Sequence, residues 1–222
     1  MELIKPGTRI LCLSPHPDDV EFGLGAMLHK YKGIYEGKLI VFSDRSTTRG
    51  EAHNERDQRL SAQILGFRED QVLFIDQLGL EIDRMQIRFF GAEENRDRIR
   101  MIVSFVARDF EPTLIFTPGL HETMQDHQAL SEEVVRIVSG QASIFGYEVP
   151  RSNRRFQPNV FVDVSEADLD AKIQALTCFT EFTNRYYFGS DNIRALARVR
   201  ALNAGYSGYA EAFELYRMTV GP

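Results

Sequence analysis

The chain has 222 residues, of which 43% are hydrophobic and 26% charged, and this composition excludes disorder, collagen and a coiled coil as descriptions of the whole chain. Its 26 Lys and Arg residues against 32 Asp and Glu residues give a formal charge of −6, which argues against a nucleic-acid partner because such partners select basic surfaces. Only two cysteines occur, and no stretch of about 18 uninterrupted apolar residues is present. We therefore expect a cytoplasmic protein without a membrane span.

Short β-rich apolar runs alternate with longer amphipathic runs along the chain, a pattern typical of a parallel sheet with helices on both faces. In chain order the predicted elements are a strand at Thr8–Leu13, a helix from about Val20, a strand at Lys38–Ser43, a helix at Glu51–Leu65, a strand at Val72–Ile75, a helix at Asn95–Phe110, a strand at Thr113–Thr117, a helix at Asp126–Ser139, strands at Ser143–Tyr147 and Asn159–Val164, a helix capped by Ser165, and a helix at Asn192–Leu202. No repeat or linker-like segment interrupts this order. We predict one α/β domain over residues 1–222, Rossmann-like with a mostly parallel sheet flanked by helices, and with a less regular C-terminal third.

The first predicted strand is followed by Ser14-Pro15-His16-Pro17-Asp18-Asp19, at the end of the sheet where such folds bind ligands. A turn with helix-capping aspartates is one interpretation, because negative charge is favoured at a helix N-terminus. Capping explains neither the histidine nor the second acid. The alternative is half of a metal site, in which His16 and Asp19 bind one ion and Asp18 is left to act as a base.

A second candidate segment, His121–His127, follows the predicted strand Thr113–Thr117. Two neighbouring parallel strands would bring His127 to His16, although the two residues are far apart in the chain. Two histidines and one carboxylate with a vacant position form a common catalytic zinc site. His29 falls within a predicted helix and His53 in a charged stretch, so we expect these two to be structural or solvated.

The run His16-Pro17-Asp18-Asp19, with Glu21 and the glycines 23 and 25, resembles the signature of the LmbE-like or PIG-L deacetylase family. These are zinc enzymes that remove N-acetyl groups from amino sugars. Further similarities to the family extend over nearly the whole chain and comprise Glu55–Gly66, Leu114–Pro118, Gln125–His127, Tyr147–Pro150 and Ala210–Phe213. The resemblance implies an N-deacetylase acting on an amino sugar or sugar conjugate in glycan or antibiotic biosynthesis.

The resemblance also implies roles for individual residues. His16, Asp19 and His127 are the expected zinc ligands, although another divalent ion would suit the same donor set. Asp18 is the expected base, taking a proton from zinc-bound water, which is acidified by the metal. Asp126 either orients an imidazole or simply places an acid at the start of its helix. Arg56 matches a substrate-contacting arginine of the family, and its alternative role is that of a solvated helix charge.

One position departs from the family pattern. Met124 stands where many members carry a histidine that stabilises the oxyanion, and methionine can donate no hydrogen bond there. His121 on the same loop could substitute as a catalytic residue, or zinc and Asp18 could support a slow reaction. The alternative function is a metal-containing sugar-binding protein with little or no turnover. A dinucleotide enzyme is disfavoured because no Gly-rich loop follows the first strand.

The C-terminal third is rich in aromatic residues, which we expect to pack that part of the chain or to form a subunit contact. They are Tyr186, Tyr187, Phe188, Tyr206 and Tyr209. Sugar-stacking faces are the alternative use of these rings. We expect the protein to form a homo-oligomer. We expect its ligand to be a small N-acetylated sugar, which is its substrate.

Overall fold

The structure, a computed structural model, describes residues 3–43, 51–81, 83, 93–138, 142–181 and 183–220, and for residues 51–53 and 93–94 it describes the backbone alone. The strands are β1 (Arg9–Ser14), β2 (Glu36–Val41), β3 (Val72–Phe74), β4 (Leu114–Pro118), β5 (Ser143–Tyr147), β6 (Val160–Val164) and β7 (Tyr209–Arg217). The helices are α1 (Asp19–Lys30), α2 (Glu51–Leu65), α3 (Glu93–Phe110), α4 (Gln125–Ile137), α5 (Glu166–Thr177) and α6 (Ser190–Ala204). No described helix combines the length and apolar composition needed to cross a bilayer.

The seven strands form one sheet in the order β3-β2-β1-β4-β5-β7-β6. The first five are parallel, and β7 is antiparallel to both of its neighbours. Strand order reverses direction between β1 and β4, which is where open α/β sheets leave a crevice for ligands. The predicted Rossmann-like, mostly parallel sheet is confirmed.

Both faces of the sheet are buried, because successive strand residues point to opposite sides. On β1, Ile10 and Cys12 pack into one cluster with α1, α2 and α5, whereas Leu11 and Leu13 pack into another with α3 and α4. This arrangement fixes α1 and α4 on opposite faces of the central strand pair. Their N-termini therefore meet above the carboxyl ends of β1 and β4.

Most predicted elements agree with the structure to within a few residues, and the C-terminal third contains one strand that was not predicted. Strand β7 inserts between β5 and β6 and carries two buried acids, Glu211 and Glu214. Helix α4 ends at Ile137, while the predicted final residue Ser139 and the Gly140 after it lie outside the described residues. The unpredicted strand extends the sheet beyond the parallel part.

Helix α1 is broken at Leu24, where φ is −146° and ψ is 16°. A break frees backbone groups that need new partners, because buried N–H and C=O groups are costly to leave unpaired. Glu211 on β7 accepts hydrogen bonds from the Ala26 and Met27 amides at 3.1 and 2.6 Å. Lys172 on α5 donates to the Phe22 carbonyl at 2.5 Å and to Glu211 at 2.6 Å. The break is thus stabilised by a buried ion pair.

Candidate metal centre

The turn after β1 sets the orientation of the first candidate residues. The Ser14 hydroxyl donates to the His16 carbonyl at 2.6 Å, and the His16 amide donates to Asp19 Oδ2 at 3.0 Å. Asp18 has a left-handed backbone with φ 90°, a conformation that aspartate tolerates better than most residues. The turn therefore brings the side chains of His16 and Asp19 onto the same side.

Three donor atoms from the two strand ends face one another. His16 Nδ1 lies 3.1 Å from Asp19 Oδ2, and His127 Nε2 lies 3.3 Å from both of these atoms. His16 and Asp19 follow β1, and His127 is the third residue of α4 after β4. All three side chains are fully buried. The sheet thus converts two distant sequence segments into one compact cluster, the only such described group of three or more His, Cys, Asp or Glu residues.

The spacing of these donors fits a small tetrahedral cation. Bonds of about 2.0–2.1 Å to nitrogen and oxygen place tetrahedral ligand atoms about 3.3 Å apart. The three observed separations of 3.1, 3.3 and 3.3 Å match that value. Two imidazole nitrogens and one carboxylate oxygen also form a donor set that zinc and related divalent ions accept. His16, Asp19 and His127 are therefore suited to hold such an ion.

The electrostatics of the cluster favour positive charge. Burial opposes protonation of His127, but the Asp19 carboxylate outweighs it and raises the pKa of His127 to about 10. Burial would likewise raise the pKa of Asp19, but the facing His127 ring holds that pKa well below its usual range. The carboxylate remains ionised at neutral pH. This is the environment that a divalent cation requires.

Each of the two imidazoles has a second carboxylate on its outer side. His16 Nε2 lies 2.5 Å from Asp126 Oδ2, and His127 Nδ1 lies 3.8 Å from Glu122 Oε2. The first is an ion-pair contact, whereas the second exceeds hydrogen-bond length. Burial acts to raise the pKa of Asp126, but its contact with His16 prevails and lowers that pKa. Carboxylates in this outer position orient metal-binding imidazoles.

Asp18, the predicted base, lies directly beside Asp19 at the start of α1. Its side chain is only 1% exposed and makes no capping hydrogen bond to the helix. Helix capping therefore does not account for this residue, although capping was one of the two sequence-based interpretations. A buried acid on a left-handed backbone is the kind of local strain that concentrates at functional sites.

The structure does not bring every predicted site residue into the cluster. His121 is exposed on the loop before α4, and Arg56 is exposed on α2. His29 pairs with Asp168 at 2.8 Å, in keeping with a structural role, and His53 lies in α2 where only the backbone is described. The cluster consists of the three predicted ligands and their carboxylate partners.

Two residues near the centre were not identified as functional from the sequence. Glu122 was noted only as part of the segment His121–His127, although a second acid close to a candidate ligand is a usable signal. Arg151 lies beyond the run Tyr147–Pro150, and its Nη2 atom is 3.3 Å from the Met124 sulfur. No sequence spacing connects Arg151 to Met124, because the contact depends on the pairing of β4 with β5.

Comparisons with known proteins agree with this arrangement. Residues 11–138 match the family model described as PIG-L, GlcNAc-PI de-N-acetylase. The uncharacterized deacetylase YaiS of Escherichia coli K12 is 30% identical over 171 residues, which cover 75% of this chain and 88% of that protein. The match to the family model contains all three candidate ligands as well as Asp18.

Solved structures share the fold at low sequence identity. The conserved protein TT1542 from Thermus thermophilus has a TM-score of 0.71 and 22% identity, covering 96% of both chains. The N,N'-diacetylchitobiose deacetylase from Pyrococcus horikoshii has a TM-score of 0.67 and 19% identity, covering 96% of this chain and 86% of that one. The 4-carboxy-2-hydroxymuconate hydratase GalB from Pseudomonas putida KT2440 has a TM-score of 0.67 and 18% identity, covering 97% and 98%. By its sequence matches, and with the same fold as these structures, the chain belongs to the PIG-L de-N-acetylase family.

Proposed function

We propose that this protein is a zinc-dependent hydrolase that removes an N-acetyl group from an amino sugar or sugar conjugate. The observation that carries the proposal is the triangle of His16 Nδ1, Asp19 Oδ2 and His127 Nε2, whose sides fit tetrahedral zinc. One solved structure with this fold is named as a deacetylase of a sugar, N,N'-diacetylchitobiose. GalB shows that the fold also supports hydration, so the fold alone does not select the reaction.

His16, Asp19 and His127 would hold the ion, and other divalent ions fit the same donors. When bound, such an ion acts as a Lewis acid on the amide carbonyl and makes a neighbouring water more acidic. Asp126 and Glu122 keep the two imidazoles in the required orientation. All five of these side chains are buried.

Asp18 is the proposed proton carrier. Its carboxylate accepts a proton from the water that attacks the acetamide carbonyl carbon, so that a C–O bond forms there. The same acid then returns the proton to the amide nitrogen as the C–N bond breaks, releasing acetate and the free amine. A carboxylate adjacent to the ligand Asp19 suits this role, because a carboxylate bound to a cation is a weaker base.

The oxyanion of this reaction needs a further donor, which Met124 cannot supply. His121 is one proposed substitute, although its exposed position requires the loop before α4 to move. Arg56 remains a proposed substrate contact from the exposed surface of α2. Met124 also motivates the alternative function, a sugar-binding protein with weak or no turnover.

We place the protein in the cytoplasm as a homo-oligomer. The two free cysteines, of which Cys12 is buried, support a reducing compartment. Size-exclusion chromatography with light scattering checks the oligomeric state.

The test combines metal content with product analysis. Purified protein is expected to carry about one ion per chain and to release acetate from a panel containing N-acetylglucosamine and N,N'-diacetylchitobiose. His16→Ala and His127→Ala should lose the ion. Asp18→Asn should keep the ion, but its rate of acetate release should fall by about 100-fold or more. His29→Ala is the matched control and should retain both.

Each alternative has its own signature in this test. A product that is heavier by one water, formed without acetate, would indicate a hydratase. Sugar binding with no product would favour the binding function. Unchanged metal content in both His16→Ala and His127→Ala would overturn the proposal that these residues bind the ion.

A further inference from the structure

A pocket of about 220 Å³ lies between α1, α5, α6 and the start of β7. It is smaller than the range of about 300–1,000 Å³ that is usual for whole ligands, so it suits one part of a larger molecule. None of the three candidate metal ligands lines it. The residues that carry the argument are Phe22, Arg151, Lys172, Tyr187 and Arg200.

The pocket adjoins both elements that carry candidate metal ligands. Phe22 lies on α1 three residues after Asp19, and it lines the pocket wall. Arg151 lines the pocket as well, and its guanidinium contacts the sulfur of Met124, the residue at the N-cap position of α4. A substrate whose amide reaches the centre can therefore extend another group into this pocket.

Two of the three cations that line the pocket pair with a carboxylate. Lys172 pairs with Glu211 at 2.6 Å, and Arg200 pairs with Glu148 at 2.9 Å. Within the described part of the chain, no carboxylate lies within 4.0 Å of the Arg151 guanidinium. Among the described residues that line the pocket, Arg151 is thus the one cation without a carboxylate partner, and it is exposed to solvent.

Arg151 is held by an aromatic ring instead of an acid. Its guanidinium lies 5.4 Å from the centre of the Tyr187 ring, and that ring packs 5.7 Å from Phe22. This cation–π contact orients the side chain without neutralising its charge. The planar guanidinium remains available to bind carboxylate or phosphate through two parallel hydrogen bonds.

We infer that this pocket binds an anionic group, a phosphate or a carboxylate, carried by the N-acetylated sugar, and that Arg151 is the residue that selects it. The inference rests on the proposed function and narrows its substrate class to acidic sugars. Tyr187 and Phe22 supply the apolar wall against which the body of the sugar packs.

The test measures binding by calorimetry to the zinc-loaded Asp18→Asn variant, so that turnover does not interfere. The probes are N-acetylglucosamine, its 1-phosphate, its 6-phosphate and N-acetylmuramic acid, which separate phosphate from carboxylate. At least one acidic probe should bind about 10-fold or more tightly than the neutral sugar. Adding Arg151→Ala should remove that preference, and Arg151→Lys should retain part of it.

Arg154→Ala is the matched control, because Arg154 is an exposed arginine on the same loop and does not line the pocket. It should leave the preference unchanged, and the thermal stability of each variant shows whether it is folded. Equal affinities for all four probes, or a preference that survives Arg151→Ala, would overturn the inference.

Acetate release by the wild type separates this inference from the proposed function. Equal release from neutral and acidic sugars would overturn the role of Arg151 and leave the deacetylase standing. An Arg151-dependent binding preference without acetate from any probe would overturn the deacetylase and leave the anionic pocket standing.

Discussion

His16 Nε2 lies 2.5 Å from Asp126 Oδ2, while the opposite nitrogen of the same ring faces Asp19. A carboxylate beside one nitrogen of an imidazole orients the ring, so that the other nitrogen can bind an ion. His16 Nδ1 lies at the place where Asp19 Oδ2 and His127 Nε2 also converge. Asp126 is therefore placed to orient His16 for metal binding.

Asp126→Asn should weaken zinc binding by about 10- to 100-fold, because it replaces the carboxylate beside His16 Nε2 with a neutral amide. Competition with a chromophoric chelator measures the affinity. Glu122→Gln is the matched comparison, and its effect should be smaller because Glu122 lies 3.8 Å from His127. An equal or larger loss in Glu122→Gln would contradict this ranking.

Met124→His should raise the rate of acetate release by about 100-fold, because histidine adds a hydrogen-bond donor for the oxyanion. The rate is measured on whichever acetamido sugar the wild type accepts. Met124→Leu keeps the size of the side chain and should leave the rate unchanged. Acetate from Met124→His alone, with none from the wild type, would support the sugar-binding alternative instead.

Lys172→Met should lower the free energy of unfolding by about 3–5 kcal/mol, since it leaves the Glu211 carboxylate buried without its cation. Urea denaturation followed by circular dichroism measures the change. Lys30→Met removes an exposed pair with Asp163 and should cost only about 0–1 kcal/mol. Similar losses in the two variants would show that the break in α1 does not depend on Lys172.

The capping contact between Ser165 and Asp168 should make stability depend on pH. Burial would raise the pKa of Asp168, but hydrogen bonds from Ser165 and His29 outweigh it and lower that pKa. The pKa of Asp168 is therefore lower in the folded protein than in the unfolded chain, where it is about 3.9. Ionised Asp168 stabilises the fold above about pH 3.9, and this stabilisation is lost as the pH falls through the pKa of Asp168 in the folded protein.

Asp168→Asn should therefore destabilise the protein at pH 7 by about 0.5–2 kcal/mol and by less near pH 3. Thermal unfolding at the two pH values measures the difference. Asp170→Asn is the control on the same helix, because Asp170 is exposed and lies outside the capping box. A destabilisation by Asp168→Asn that grows as the pH falls would contradict the assigned sign.

The parallel part of the fold could be predicted because its signals are local. Helix α2 spans the predicted range and ends at Leu65, and the φ of +106° at Gly66 suits a glycine that follows a helix. The predicted N-cap at Ser165 is also present, with the Ser165 hydroxyl accepting from the Asp168 amide. The convergence of His16 and His127 followed from placing their strands side by side, which depends on topology rules and not on side-chain detail.

The remaining features could not be predicted because they depend on partners distant in the chain. Glu211 interrupts the apolar pattern of β7, and its role becomes clear only when it caps the broken helix α1. Arg151 looks like an ordinary loop charge until β5 places it beside Met124. Residues whose partners come from other elements carry no periodic signal of their own.

Strand β7 lies between β5 and β6, and in the described sheet β6 hydrogen-bonds to β7 alone. During synthesis the ribosome therefore releases β5 and β6 well before the strand that joins them. Until β7 emerges, the nascent chain presents the open edge of a five-stranded parallel sheet, and such edges pair readily with other chains. Transient shielding by a chaperone would be most useful in that interval.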